Sequence, residues 1–433
     1  MSADRPRLRA IDRAASLTLV LEWALGLRVL AADVVQWLTE RKGKLCLFPD
    51  ADIYWHLART IRQGEPFEVV LWGDLPHFAL RTPGYPLFLA LCQAVCGESP
   101  LAVRLVQAVI GAASVWLVFR LTRTLAAADR GLAGPWSTPL VAAALAAIDP
   151  YYVGTAALLL SEAVFIPLIV LSLWGLAVLW GPPSSSRPVA TVAWAATVGA
   201  ASGAAVLVRP SWALCVPALL LAWVAFSGRG HRLRAVRGAL IVALAAAVVM
   251  APWWVRNARV FGKFVPTALW MGASLYDGLN PHATGASDME FVNEPDIWPL
   301  GEEAQDAELR RRAVAFARAN PGRTAQLAGI KLLRYWSPWP NAETLRSPWV
   351  AVAWAMWTLP LYVLWAAGAW DRRRDARALV LLAGPLLYFC GLHMIFAGSM
   401  RYRIPGAVPA LGLAAIGLRS LIERGTRRAA AEA

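Results

Sequence analysis

Long apolar runs bounded by short, arginine-rich connections constrain this chain more than any other feature. A membrane-spanning helix needs roughly 20 mostly apolar residues. Such runs recur near residues 16–38, 100–125, 139–148, 153–180, 189–208, 211–226, 235–254, 349–370, 378–396 and 405–418. Only 16% of the residues are charged, against about a quarter in soluble domains. The expected fold is an all-α polytopic membrane protein of about ten transmembrane helices. Glu22, Arg28 and Asp33 interrupt the first run, so they are expected to face other helices or lie near its ends.

The formal net charge is +14. Its arginines cluster between apolar runs: Arg120, Arg123 and Arg130, the G-P-P-S-S-S-R-P turn at 181–188, G-R-G-H-R-L-R-A-V-R at 228–237, and D-R-R-R-D-A-R at 371–377. This is the positive-inside pattern, not a nucleic-acid surface. It places both termini and the short basic loops in the cytoplasm of a multi-pass protein of the cytoplasmic membrane. The basic N-terminus reads as a retained cytoplasmic end. Two longer loops then face outward, at 39–99 and 258–347, and carry interfacial helices. Residues 302–318 and 320–336 read as helices of the second loop. The whole chain, 1–433, reads as one integral membrane domain. Cys46, Cys92, Cys96, Cys215 and Cys390 are odd in number, form no disulfide framework and have no zinc spacing with histidine.

The first outer loop holds P-D-A-D-I-Y, then R-T-P-G-Y-P-L-F-L-A. Asp50 and Asp52 follow the first apolar run, and Tyr54, Leu57, Ala58 and Ile61 continue at helical spacing. The aspartates therefore open an amphipathic helix on the membrane surface. One reading is helix capping, since carboxylates are favoured at a helix N-terminus. The other is catalysis. Arg81, Arg209, Arg256, Arg401 and Arg403, with Lys331 and Arg334, break the positive-inside rule by standing at the outer ends of spans or in the long loop. Glu162 lies in the fourth run, about three turns from its outer end. Snorkelling to lipid headgroups accounts for any one of these cations, but their gathering on one face with Asp50 suits anionic chemistry at the outer bilayer surface.

These motifs resemble those of polyprenyl-phosphate-sugar-dependent enzymes of the glycosyltransferase-C superfamily. The likeness is to the group around family 39, with the protein O-mannosyltransferases and aminoarabinose transferases. L-S-E at Glu162, V-R-P at Arg209, P-W-W-V-R-N at Arg256, K-L-L-R-Y-W-S-P-W-P from Lys331 and R-Y-R-I-P from Arg401 are similar to motifs of this group. The resemblance implies transfer of a sugar from a polyprenyl-phosphate donor to an acceptor outside the membrane, with inversion at C1. Asp50 matches the family's catalytic base, and Asp52 stands where a displaced second carboxylate would. Arg81, one residue before a family phosphate-contacting lysine, joins Arg209, Arg256, Arg401, Arg403 and Lys331 as donor-phosphate candidates. Glu162 would orient one of them or the sugar. Tyr54 and Tyr85 belong to the same loop motifs.

His282 and Asp288, in N-P-H-A-T-G-A-S-D-M, fit Asx-turn structure, with contact to a metal or the acceptor as the alternative. Some superfamily members need a divalent cation and others do not; the sequence supplies no evident ligand set. The expected partners are the lipid-linked donor, membrane lipid and a glycan, lipid or protein acceptor, with acceptor choice in loop 258–347. A transporter or flippase is the competing class, but it calls for inverted repeats and a polar path at mid-membrane. A non-catalytic polyprenyl-phosphate-binding scaffold would keep the arginines without needing Asp50.

Overall fold

The computed structural model describes residues 4–71, 75–126, 137–181, 188–341 and 347–432. Arg130 and the turn at 182–187 lie outside the described residues. The chain is an all-α polytopic membrane protein. Helix α1 (Asp4–Arg41) leads into the first loop, which holds α2 (Pro49–Gln63) and α3 (Gly84–Cys96). Then come α4 (Pro100–Leu125), α5 (Thr138–Ile148), α6 (Pro150–Ala157), α7 (Glu162–Trp180), α8 (Pro188–Val208), α9 (Cys215–Phe226) and α10 (Arg232–Phe261). The long segment after α10 contains α11 (Met271–Gly278), α12 (Glu302–Ala319) and α13 (Pro321–Tyr335). The chain closes with α14 (Pro348–Asp371), α15 (Ala376–Leu382), α16 (Gly384–Ile395) and α17 (Ile404–Glu432). The all-α expectation missed one small antiparallel pair, β1 (Val69–Leu71) with β2 (Leu75–His77).

Among the described residues six helices are long and apolar enough to cross a membrane: α4, α7, α8, α10, α14 and α17. Two bent pairs, α5–α6 at 53° and α15–α16 at 50°, bring the number to eight if each is one crossing. Of the other runs, α1 has the length but carries Glu22, Arg28 and Asp33, and the apolar segment Pro210–Phe226 is short.

The fourth expected span, 153–180, is not continuous. The chain leaves α6 at Ala157, runs unwound through Leu158–Ser161, and starts α7 at Glu162. Irregular backbone at membrane depth is tolerated only where protein satisfies its polar groups. Here α4 does so: Arg104 Nε donates to the Ala157 carbonyl at 3.1 Å, and Gln107 Nε2 donates to those of Ala156 and Leu158 at 2.9 and 2.8 Å.

Arg28, fully buried on α1, works the same way. It donates to the carbonyls of Ala146 and Ala147 at the end of α5, at 3.1 and 3.2 Å, beneath the Tyr152 ring. Gly111 leaves room for it, since a Cβ there would lie 2.7 Å from Arg28 Nε. Glu22 and Asp33 do not turn inward; both are exposed.

Small residues bring the helix backbones together, as is usual in membrane bundles. A Cβ on Gly199 or Gly203 of α8 would come within 2.3 or 2.7 Å of α10 carbonyls. At the basic end, Arg234 donates to the carbonyls of Leu179 and Gly181, Arg377 to Ala177, and Arg419 pairs with Asp371. Gly203→Leu is expected to cost about 1–3 kcal/mol through overpacking, seen as a lower unfolding temperature in detergent. Gly228→Leu, with nothing within 4 Å of its Cβ, should leave that temperature unchanged.

Candidate active site

The site lies at the end of the bundle opposite these basic contacts. Glu162 opens α7, not its third turn as the apolar run suggested, because the chain breaks just before it. Its carboxylate is buried and meets two cations through the same oxygen. Oε1 lies 2.7 Å from Arg209 Nη1 and 2.7 Å from Arg401 Nε. Arg209 follows the last turn of α8, and Arg401 lies in the single 3₁₀ turn Met400–Arg403 before α17. Three separate elements thus converge on one charge. Arg209 also reaches Ser161 Oγ at 3.4 Å and lies over the Phe165 ring, while Arg401 lies over Phe48. Neither the Nη atoms of Arg401 nor Nη2 of Arg209 makes a hydrogen bond among the described residues.

Beside this trio, Asp50 Oδ1 accepts from Arg81 Nη2 at 2.8 Å. Asp50 stands in the first turn of α2, whose buried face holds Ala51, Trp55, Leu57 and Ala58. The preceding N-cap, Phe48, supplies no side-chain cap, and the Asp50 carboxylate is turned to Arg81. Asp52 is exposed and stands next to the buried Cys46 thiol, which burial and then this carboxylate push up to about 12. Asp50 is within electrostatic reach of Arg401.

Gly84, in the R-T-P-G-Y-P motif, has a role the sequence did not reveal. A Cβ there would sit 2.7 Å from the backbone of Leu207 and Val208. Glycine lets α3 rest on the end of α8, immediately before Arg209. Tyr85, fully buried, donates to Gln107 Oε1 at 2.7 Å and meets the Tyr54 ring edge-on at 5.0 Å.

The other sequence candidates are placed differently. Arg256 donates to the carbonyls of Phe78 and Phe67 at 2.7 and 2.9 Å and stacks near Trp253. Arg403 is buried and donates to the carbonyls of Tyr335 and Ser337 at 3.0 and 3.1 Å and to the Tyr362 hydroxyl. Lys331 is fully buried and donates to the Ile395 carbonyl at 2.7 Å, closing the end of α16. Burial pushes its ammonium down to about 8, with Asp277 opposing. His282 N–H donates to Asn280 Oδ1 at 2.8 Å and Glu290 N–H to Asp288 Oδ1 at 3.2 Å, both as loop turns, while Asp288 N–H reaches across to Asp277 Oδ1 of α11 at 2.7 Å. Among the described residues no three His, Cys, Asp or Glu side chains gather as a metal site.

Two residues of the site escaped the sequence reading. Tyr402, between the arginines of R-Y-R-I-P, stands within electrostatic reach of Arg401, Arg209, Asp50 and Asp277. His393 stacks flat on it, with ring centroids 4.1 Å apart, and donates from Nδ1 to the Ala397 carbonyl at 3.0 Å. Tyr402 at least had a signal, its position inside a motif already singled out.

The family model described as dolichyl-phosphate-mannose-protein mannosyltransferase matches residues 80–255, from just before Arg81 to just before Arg256. Among solved structures, the chain is similar to the oligosaccharyltransferase AglB of Archaeoglobus fulgidus, in complex with an inhibitory peptide and a dolichol-phosphate. That match has a TM-score of 0.58 and 14% identity, over 97% of this chain and 51% of that one. This is a glycosyltransferase-C fold. A second structure of the archaeal oligosaccharyltransferase, tethered to an acceptor peptide, gives a TM-score of 0.59 at 14% identity, over 95% of this chain and 50% of that chain. The chain spans about half the length of these structures. No curated protein matches it in sequence. The glycosyltransferase-C resemblance read from the motifs is thereby borne out at the level of the fold.

Within this glycosyltransferase-C bundle, Glu162 should be the most costly charge to remove. Glu162→Gln would leave two guanidinium groups facing each other, a loss of about 3 kcal/mol, the low end for a broken buried pair. Glu162→Gln with Arg401→Gln should recover part of it. Thermal unfolding in detergent measures both.

Proposed function

We propose that this chain is a membrane glycosyltransferase that moves a sugar from a polyprenyl-phosphate donor to an acceptor at the outer face of the cytoplasmic membrane. One observation carries the reading. Glu162 holds Arg209 and Arg401 side by side through a single oxygen, Asp50 lies within electrostatic reach of Arg401, and among the described residues neither the Nη atoms of Arg401 nor Nη2 of Arg209 makes a hydrogen bond. The matched family's description, with dolichyl-phosphate mannose as donor, supports a lipid-phosphate sugar. So does the dolichol-phosphate bound to AglB, and the acceptor peptide tethered to the second archaeal oligosaccharyltransferase structure supports a site for a second substrate.

The acceptor hydroxyl attacks C1 of the sugar while Asp50 takes its proton. The C1–O bond to phosphate breaks, and the electron pair leaves with the polyprenyl phosphate, inverting C1. Negative charge grows on that phosphate, where Arg209 and Arg401 stabilise it through preorganised donors. Arg81 orients Asp50. Arg256, Arg403 and Lys331, occupied by backbone carbonyls, hold the surrounding loops instead of the phosphate. Acceptor selection belongs to segment 258–347.

Arg401→Ala should weaken binding of a polyprenyl-phosphate analogue about tenfold, the effect of losing one charge-assisted contact. Equal binding by Arg401→Ala and Arg209→Ala would remove the phosphate assignment. Asp50→Asn should bind donor like the parent while transfer falls by roughly 10²–10⁴. Parent-like transfer would move the base elsewhere. Orientation is open to a separate check in a Cys96→Ser background, Cys96 being the exposed native cysteine. A cysteine at Ala304 should react with an impermeant thiol reagent in intact cells, while one at Gly230 or Arg373 should not. Labelling at Gly230 would reverse the orientation.

A further inference from the structure

The short stretch from Phe78 to Arg81 links β2 to the R-T-P-G-Y-P motif and has no strand or helix of its own. Its backbone is held from outside. The N–H groups of Phe78 and Ala79 donate to the two oxygens of Glu302, at 2.8 Å to Oε2 and 2.9 Å to Oε1. The Phe78 carbonyl accepts from Arg256, and the Ala79 carbonyl accepts from Leu269 N–H at 2.8 Å. Two residues further on, Arg81 meets Asp50.

Glu302 is buried and is the first residue of α12, more than two hundred residues away along the chain. That helix is itself fixed. Asp306, one turn on, accepts from Gly272 N–H at 2.6 Å, and a Cβ on Gly272 would lie 1.9 Å from the Asp306 carbonyl oxygen. A buried carboxylate is costly unless its hydrogen bonds are filled. Here both oxygens are filled by amides of the stretch that carries Arg81.

We propose that Glu302 is a positioning residue: from the long segment 258–347 it fixes the Phe78–Ala79 backbone and so sets Arg81 against Asp50. The bundle end that selects the acceptor then also aligns the proton-accepting pair. This rests on the transferase reading for its effect on rate, but not for the clamp itself. Glu302→Gln keeps the shape and replaces one acceptor oxygen by an amide that cannot accept. Glu302→Asp keeps the charge on a shorter arm.

The experiment compares both variants with the full-length parent in detergent. Hydrogen–deuterium exchange over residues 78–81 should be about tenfold faster in Glu302→Gln, the effect of losing one buried hydrogen bond. Transfer at saturating donor and acceptor should fall roughly 10- to 100-fold, as for a slightly misplaced catalytic group, with the KM for donor within about twofold. Glu302→Asp should recover part of the rate, since its charge remains. Unchanged exchange in Glu302→Gln would overturn the clamp, and faster exchange with an unchanged rate would overturn its catalytic importance. A parent that transfers no sugar would sink the transferase reading, while the exchange result would still decide whether Glu302 holds this backbone.

Discussion

Everything at the candidate site depends on one buried carboxylate shared by two arginines. Burying Glu162 among apolar side chains is tolerable only because Arg209 and Arg401 meet it at 2.7 Å. To deliver those partners, α8 must end, α17 must begin and α7 must start at the same depth. The unwound stretch before Glu162 makes that possible. It would be unstable in lipid without Arg104 and Gln107, which take its carbonyls from α4. The geometry of the charges is therefore inherited from backbone satisfaction by the neighbouring α4.

The cations at this end divide by what they hold. Arg209, Arg401 and Arg81 face carboxylates, the first two that of Glu162 on α7 and the third that of Asp50 on α2. Arg256, Arg403 and Lys331 face carbonyls, the natural partners of a donor without acceptor capacity at a loop or helix end. Arg403 ties the turn after α13 to the start of α17, two residues from Arg401. Arg256 ties the first loop to α10. The second group keeps the loops in place around the first.

Much of this was legible in the residues. Periodicity and charge located α12 and α13 to within a residue or so, since an amphipathic helix in a polar loop shows both its faces in sequence. The apolar runs gave the bundle and the side on which the arginines gather. The break before Glu162 was not legible. Leu158 to Leu160 are apolar and carry no glycine or proline, and the groups that hold them apart lie on another helix. Nor could the sequence sort Arg209 from Arg256. Both stand near the outer end of an apolar run, and the difference is which carbonyl or carboxylate awaits, a long-range fact. The β1–β2 pair was too short to leave an alternating pattern.

The same cluster has an electrical consequence. Arg81, Arg209 and Arg401 with Asp50 and Glu162 leave one surplus positive charge at this end of the bundle. A phosphodiester, with its single negative charge, would cancel that surplus. A phosphate monoester, approaching two at neutral pH, would overshoot it. Under the proposed reaction, the proton that Asp50 takes keeps the total neutral while the phosphate gains its second charge. Only when Asp50 releases that proton does the site turn negative with its product, so proton release generates the repulsion that empties the site for the next lipid.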